Sequence, residues 1–214
     1  MSEKIYLYPI WLRSWHWLNA LAFIILIVTG LDLQYADPDV QFIPFDIAVT
    51  WHNVAGITMI VLFIMFLVGN ISTGNSKFYR IKRKKFPKKM KKQFRYYVYG
   101  VFKKEKTPYP VTKKRKFNPL QLVSYVAVMY VLMPLVIITG VALLYPEMIV
   151  ENVFGWSGIH LTALLHIIVG FALSLFMVIH IYFCTFGHTV TSNFKGMIDG
   201  YHHVHIVDDD EENE

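Results

Sequence analysis

Apolar residues in this chain gather in long blocks and do not alternate with polar ones, so the pattern predicts helices and not half-buried strands. Four blocks, roughly Trp11 to Leu33, Val49 to Gly69, Pro119 to Leu144 and Gly158 to Phe186, are long enough to cross a bilayer. Each reaches the roughly 20 residues that a rise of 1.5 Å per residue requires. The expected fold is all-α: an integral membrane four-helix bundle forming one domain over residues 1–214, with a loop at 70–118 and a tail at 187–214. The first block has Lys4 ahead of it and Arg13 at its start, as a secretory signal would, but no small-x-small cleavage pattern comes after it, so it reads as a retained helix. Pro134, inside the third block, predicts a kink whose freed carbonyl is satisfied locally.

Composition agrees. With 55% hydrophobic residues the chain is no disordered polymer, and the single cysteine, Cys184, excludes a disulfide scaffold. Charge then sets an orientation. All 21 Lys and Arg fall in the N-terminal segment, in the loop or after the fourth block, and 18 of them lie between Lys77 and Lys116. The segments at 34–48 and 145–157 hold Asp37, Asp39, Asp46, Glu147 and Glu151 and no base. The positive-inside rule therefore predicts both termini and the basic loop on the cytoplasmic side. The net charge of +6 is first a topology signal, and nucleic acid is not an expected partner. Three readings of the loop stay open. It is a solvated segment that fixes orientation, a surface for membrane lipid with anionic head groups at roughly 1 kcal/mol per base, or a partner for the acidic run Asp208, Asp209, Asp210, Glu211, Glu212 and Glu214.

The blocks carry a faint repeat. The first ends Thr29-Gly30-Leu31-Asp32-Leu33-Gln34-Tyr35 and the third Thr139-Gly140-Val141-Ala142-Leu143-Leu144-Tyr145, sharing T-G-x-x-L-x-Y. The block after each carries H-x-x-x-G, as His52 to Gly56 and His166 to Gly170, which fits two related helical hairpins or a chance likeness between apolar sequences.

Ionisable groups inside a membrane ask for a partner or a ligand, and four histidines meet that description. His16 and His180 lie at the inner level, His52 and His166 at the outer level, which suggests two centres. His166 and His180 are 14 residues apart, close to four helical turns, which sets their imidazoles near one face and about 21 Å apart along one helix. Two stacked haems with imidazole axial ligands fit that pattern. Without a Cys-x-x-Cys-His motif the attachment is expected to be non-covalent. The residue one turn after each histidine is small (Ala20, Gly56, Gly170, Cys184), leaving room for a flat ring. The plain alternative is that each histidine hydrogen-bonds to a neighbouring helix, where small residues are common in any case. His160, His188, His202, His203 and His205 stay outside the ligand set.

With these residues in view the chain resembles the diheme membrane cytochrome b subunits that anchor thiosulfate reductases, respiratory formate dehydrogenases and nickel-iron hydrogenases. The likeness covers almost the whole chain. It rests on Tyr8-Pro9-Ile10-Trp11-Leu12-Arg13-Ser14-Trp15-His16-Trp17-Leu18-Asn19, Trp51-His52-Asn53-Val54-Ala55-Gly56, Phe117-Asn118-Pro119-Leu120-Gln121, and His166 through His180 followed by Gly187-His188-Thr189. The thiosulfate-reductase type is the most similar subgroup, through Lys4-Ile5-Tyr6-Leu7-Tyr8-Pro9 and Thr189-Val190-Thr191-Ser192-Asn193-Phe194-Lys195. The resemblance implies two haem b groups, the outer on His52 and His166 and the inner on His16 and His180. It implies menaquinone or ubiquinone as substrate near the inner haem, where Asn118 and Gln121 match an N-x-x-Q stretch that contacts quinone in the formate dehydrogenase branch. It also implies an iron-sulfur or cytochrome c electron-transfer subunit, of a molybdopterin or hydrogenase-type complex, as partner. Asn118 has a second reading as a helix cap before Pro119.

The leading expectation is an electron-transfer subunit in the bacterial cytoplasmic (inner) membrane, passing electrons between quinone and an extracytoplasmic redox partner. Two other classes remain: a haem-free membrane anchor of a respiratory complex, and a small transporter with His52 and His166 as a proton relay. Against the transporter, Asp32 and Asp46 sit at span edges and no carboxylate occupies a span centre.

Overall fold

The computed structural model of the protein describes residues 2–35, 42–82, 85–187 and 189–205. Asp37, Asp39, His188 and the acidic run from Asp208 lie outside the described residues, and so does the pairing of that run with the basic loop. Four helices are long and apolar enough to cross a membrane: α1 (Ile10–Gln34), α2 (Phe45–Ser72), α4 (Pro119–Leu144) and α5 (Gly158–Cys184). The molecule is a predominantly helical membrane bundle, as the apolar blocks predict. Helix α2 begins earlier and ends later than its apolar block. At its start Asp46 lies in the first turn, where a carboxylate favours the helix dipole.

Each helix turns a narrow face inward. Leu12, Trp15 and Ala22 of α1, Met59, Leu62 and Phe66 of α2, Met129 and Met133 of α4, and Val169 and Leu173 of α5 form one buried core. The Trp15 indole N–H donates to the Leu62 carbonyl at 2.7 Å, and its ring lies 4.7 Å from that of Phe66. The opposite faces leave large apolar side chains uncovered, among them Ile24 and Val28, Val61 and Val68, and Ile168 and Phe171. In water such a surface would drive association; here lipid covers it.

Pro134 acts as its chemistry requires. The residues just before it, Val128–Leu132, form a π-helical turn, and the Met133 N–H reaches the Val128 carbonyl. Proline has no N–H to donate and its ring crowds the preceding turn, so widening that turn re-satisfies the backbone without breaking the span.

The inner end is more structured than a loop and a tail. The basic segment contains α3 (Phe86–Arg95), and the tail contains α6 (Ser192–Asp199). Strand β1 (Ser2–Tyr6) pairs antiparallel with β4 (Tyr201–His205), Ile5 opposite His202, so the segment before α1 and the segment after α6 lie side by side. Gly200 makes this possible. It holds φ at +88°, a Cβ there would come within 2.6 Å of the Tyr6 ring, and its carbonyl accepts from the N–H groups of Leu7 and Tyr8. At the outer end β2 (Asn152–Val153) and β3 (Trp156–Ser157) form a short hairpin.

Candidate functional site

The four histidines singled out by depth meet in pairs. The His52 and His166 ring centres are 6.3 Å apart at the outer level, and those of His16 and His180 are 6.2 Å apart at the inner level. Helix α5 contributes one member to each pair. All four rings are partly buried, whereas His160 is exposed.

The outer pair is held alike on both sides. Thr29 Oγ1 lies 2.9 Å from His52 Nδ1, and Thr139 Oγ1 lies 2.9 Å from His166 Nδ1. Gly30 and Gly140 lie against the same rings: a Cβ would stand 3.3 Å from His52 Cε1 and 3.1 Å from His166 Cε1. The repeated Thr-Gly of α1 and α4 thus meets the histidine of the following span in both hairpins. Gly56 and Gly170, one turn beyond each outer histidine, have open space where a Cβ would be.

The inner pair is held differently. His16 Nδ1 is buried without a hydrogen-bond partner, while His180 Nδ1 lies 3.4 Å from the Tyr125 hydroxyl and its Nε2 3.8 Å from Cys184 Sγ. The His180 ring also stacks on Phe176 at 5.7 Å.

At the inner end of the bundle Asn118 caps α4. Its Oδ1 accepts from the Gln121 N–H at 3.0 Å, Gln121 Oε1 accepts from the Asn118 N–H at 3.2 Å, and Asn118 Nδ2 donates to the Tyr97 hydroxyl at 2.6 Å. Burial raises the Tyr97 pKa, and the hydrogen bonds from Asn118 and Gln93 oppose that rise.

Composition alone gives no sign of Lys116. One of the 18 bases from Lys77 through Lys116, it is only 8% exposed. Its Nζ donates to Asn75 Oδ1 at 2.8 Å, and Asn75 Nδ2 in turn donates to Asn70 Oδ1 at 2.6 Å. The ammonium lies 4.4 Å from the centre of the Phe78 ring. Desolvation, helped by the neighbouring Lys77 charge, lowers its pKa to about 8. The only cue in the sequence is position: Lys116 comes just before Phe117-Asn118-Pro119, where the chain enters the bundle.

Residues 7–200 match the protein family described as "Prokaryotic cytochrome b561". The chain belongs to that family. It is also similar to "Putative cytochrome YdhU" of Escherichia coli (strain K12), 40% identical over 202 residues that cover 94% of this chain and 76% of the relative. A prokaryotic cytochrome b561 is a membrane cytochrome that transfers electrons and carries haem b, and with its four spans it is a multi-pass protein of the bacterial inner membrane.

The residues present fit such a group. Two metal–imidazole bonds of about 2 Å, plus about 1.1 Å from each ring centre to its nitrogen, span about 6.2 Å, in line with both pairs. Among the described residues no three or more His, Cys, Asp or Glu gather in a metal-binding group. A two-imidazole site suits a metal that brings its own equatorial ligands, as haem does, better than a zinc site needing at least three protein ligands. The space beside Gly56 and Gly170 suits the same group.

Proposed function

We propose that this cytochrome is a diheme electron conduit, with the outer haem b held by His52 and His166 and the inner one by His16 and His180. The observation that carries the reading is two histidine pairs with nearly equal centre-to-centre spacing, 6.3 and 6.2 Å, sharing one helix. The 14 residues between His166 and His180 give a separation of about 21 Å along that helix. Haem b supplies reversible one-electron exchange when bound. The chain supplies the axial nitrogens, their spacing and an apolar surround that keeps water away.

Electrons pass between quinone at the inner end and a redox partner at the outer, acidic end, an iron-sulfur or cytochrome c subunit of a larger oxidoreductase. Support for the orientation comes from the 18 bases between Lys77 and Lys116, which by the positive-inside rule put this end in the cytoplasm together with both termini. Support for an inner quinone site comes from Asn118 and Gln121, neutral hydrogen-bonding groups at the start of α4. Protons of quinone chemistry then exchange with the cytoplasm while electrons travel to or from the other face, which makes turnover electrogenic.

The test is an absorption spectrum of the reduced, purified protein with haem counted per chain. Two haems are expected, falling to one in His52→Ala or His166→Ala, with the inner centre's signal kept. A colourless protein made with ample haem supports the membrane-anchor reading instead. A variant that keeps both haems refutes the outer pairing.

A further inference from the structure

The Thr-Gly pair repeated at the ends of α1 and the third span has a role that the electron conduit does not account for. Thr29 and Thr139 are both buried, at 4% and 6% exposure, each in the last turn but one of its apolar helix. A threonine hydroxyl has one proton. Thr29 Oγ1 donates to the Ile25 carbonyl at 2.7 Å, and Thr139 Oγ1 donates to the Leu135 carbonyl at 2.8 Å, the usual bond from a helical threonine to the preceding turn. With that proton committed, each hydroxyl meets its histidine Nδ1 at 2.9 Å as an acceptor, so the histidine is the donor. A neutral imidazole with its proton on Nδ1 has its free lone pair on Nε2.

We propose that Thr29 and Thr139 are positioning residues that fix the tautomer and aim of the two outer imidazoles, and thereby tune the outer centre separately from the inner one. This inference rests on the assignment of His52 and His166 as outer ligands. Gly30 and Gly140 complete the device. Each lets the helix backbone come against the Cε1 edge of the ring that the adjacent threonine bonds, so the imidazole is fixed from two directions. The same dipeptide does this in both hairpins, at the same hydrogen-bond length.

The inner pair has no counterpart. Among the described residues His16 Nδ1 has no partner, and His180 Nδ1 has a long contact to the Tyr125 hydroxyl at 3.4 Å in place of a threonine. An imidazole that donates from Nδ1 is a more basic ligand through Nε2, and a more basic ligand favours ferric over ferrous iron. The threonines therefore lower the outer centre's potential and leave the inner one unaffected.

The experiment is a redox titration with low-temperature electron paramagnetic resonance on purified Thr29→Val, Thr139→Val and the double variant, beside Thr29→Ser and Thr139→Ser. Valine keeps the shape and removes the hydroxyl, leaving His166 a backbone hydrogen bond to Val136; serine restores the hydroxyl. The outer midpoint is expected to rise in each valine variant, further in the double, with its low-spin signal shifted, while the inner midpoint and the serine variants stay at wild-type values. Loss of the outer haem alone in the valine variants, with native behaviour in the serine ones, also supports the role. Valine variants with both haems, an unmoved outer midpoint and an unmoved signal overturn it, as does outer-haem loss in valine and serine variants alike. A wild-type protein with fewer than two haems, or His52→Ala retaining both signals, instead overturns the ligand assignment beneath it.

Discussion

Lys116 offers the sharpest quantitative test of how the inner end is built. Its ammonium sits at 8% exposure, satisfied by Asn75 Oδ1 and the Phe78 ring, yet still short of the hydration it has in the unfolded chain. A fall in pKa from 10.5 to about 8 corresponds to about 3 kcal/mol between its charged and neutral forms, an order-of-magnitude figure. The folded protein holds this proton less tightly than the unfolded chain, so stability from this group is absent below pH 8 and grows as pH rises from about 8 to 10.5. Lys116→Met keeps the apolar stem and removes the titration. Its loss of the bond to Asn75 costs about 1–3 kcal/mol, which offsets much of the charge penalty removed, so near pH 7 the variant is expected to lie close to wild type. Thermal unfolding in one mild detergent at a series of pH values measures the difference between the two proteins. That difference should shift toward wild type by about 3 kcal/mol across the window from 8 to 10.5, once the pH dependence common to both is subtracted. Parallel curves for wild type and Lys116→Met would refute the burial argument.

Two further predictions separate neighbouring roles. Gly56→Leu and Gly170→Leu place a branched side chain in the open space beside the outer histidines, so each is expected to lower haem content toward one per chain with helix content by circular dichroism unchanged. Equal haem occupancy in the leucine variants would mean that this space is not the cofactor's. Asn118→Ala removes a capping box and the partner of the Tyr97 hydroxyl, and should cost about 1–2 kcal/mol in thermal stability. Asn118→Ser keeps a capping oxygen, so a Ser variant of near-native stability but reduced quinol oxidation assigns the amide to quinone, whereas unchanged turnover leaves Asn118 as a cap alone.

Position along a helix is a local quantity, and whatever depends on it was legible in the chain. Span number, the depth of each histidine and the pairing of His52 with His166 and of His16 with His180 follow from a fixed rise per residue and from the requirement that four spans alternate in direction. The distortion at Pro134 was equally readable, because the missing N–H belongs to the residue itself. The Asn-Pro pair located the cap at Asn118.

Contacts across helices depend instead on how each helix is rotated and how closely it approaches its neighbours, and periodicity says little about either when every face is apolar. The T-G-x-x-L-x-Y repeat was visible as a likeness, but only packing brought Thr29 and Thr139 within 2.9 Å of histidine nitrogens and set Gly30 and Gly140 against the rings. Lys116 looked like its solvated neighbours until the bundle closed over it. The pairing of β1 with β4 joins residues almost 200 positions apart, and short polar strands at the two ends of a chain carry no pattern that selects each other. In a membrane the solvent no longer distinguishes an inward apolar face from an outward one, so hydropathy gives the number of helices and their vertical register, while their faces are chosen by shape and by the few polar groups that must find partners.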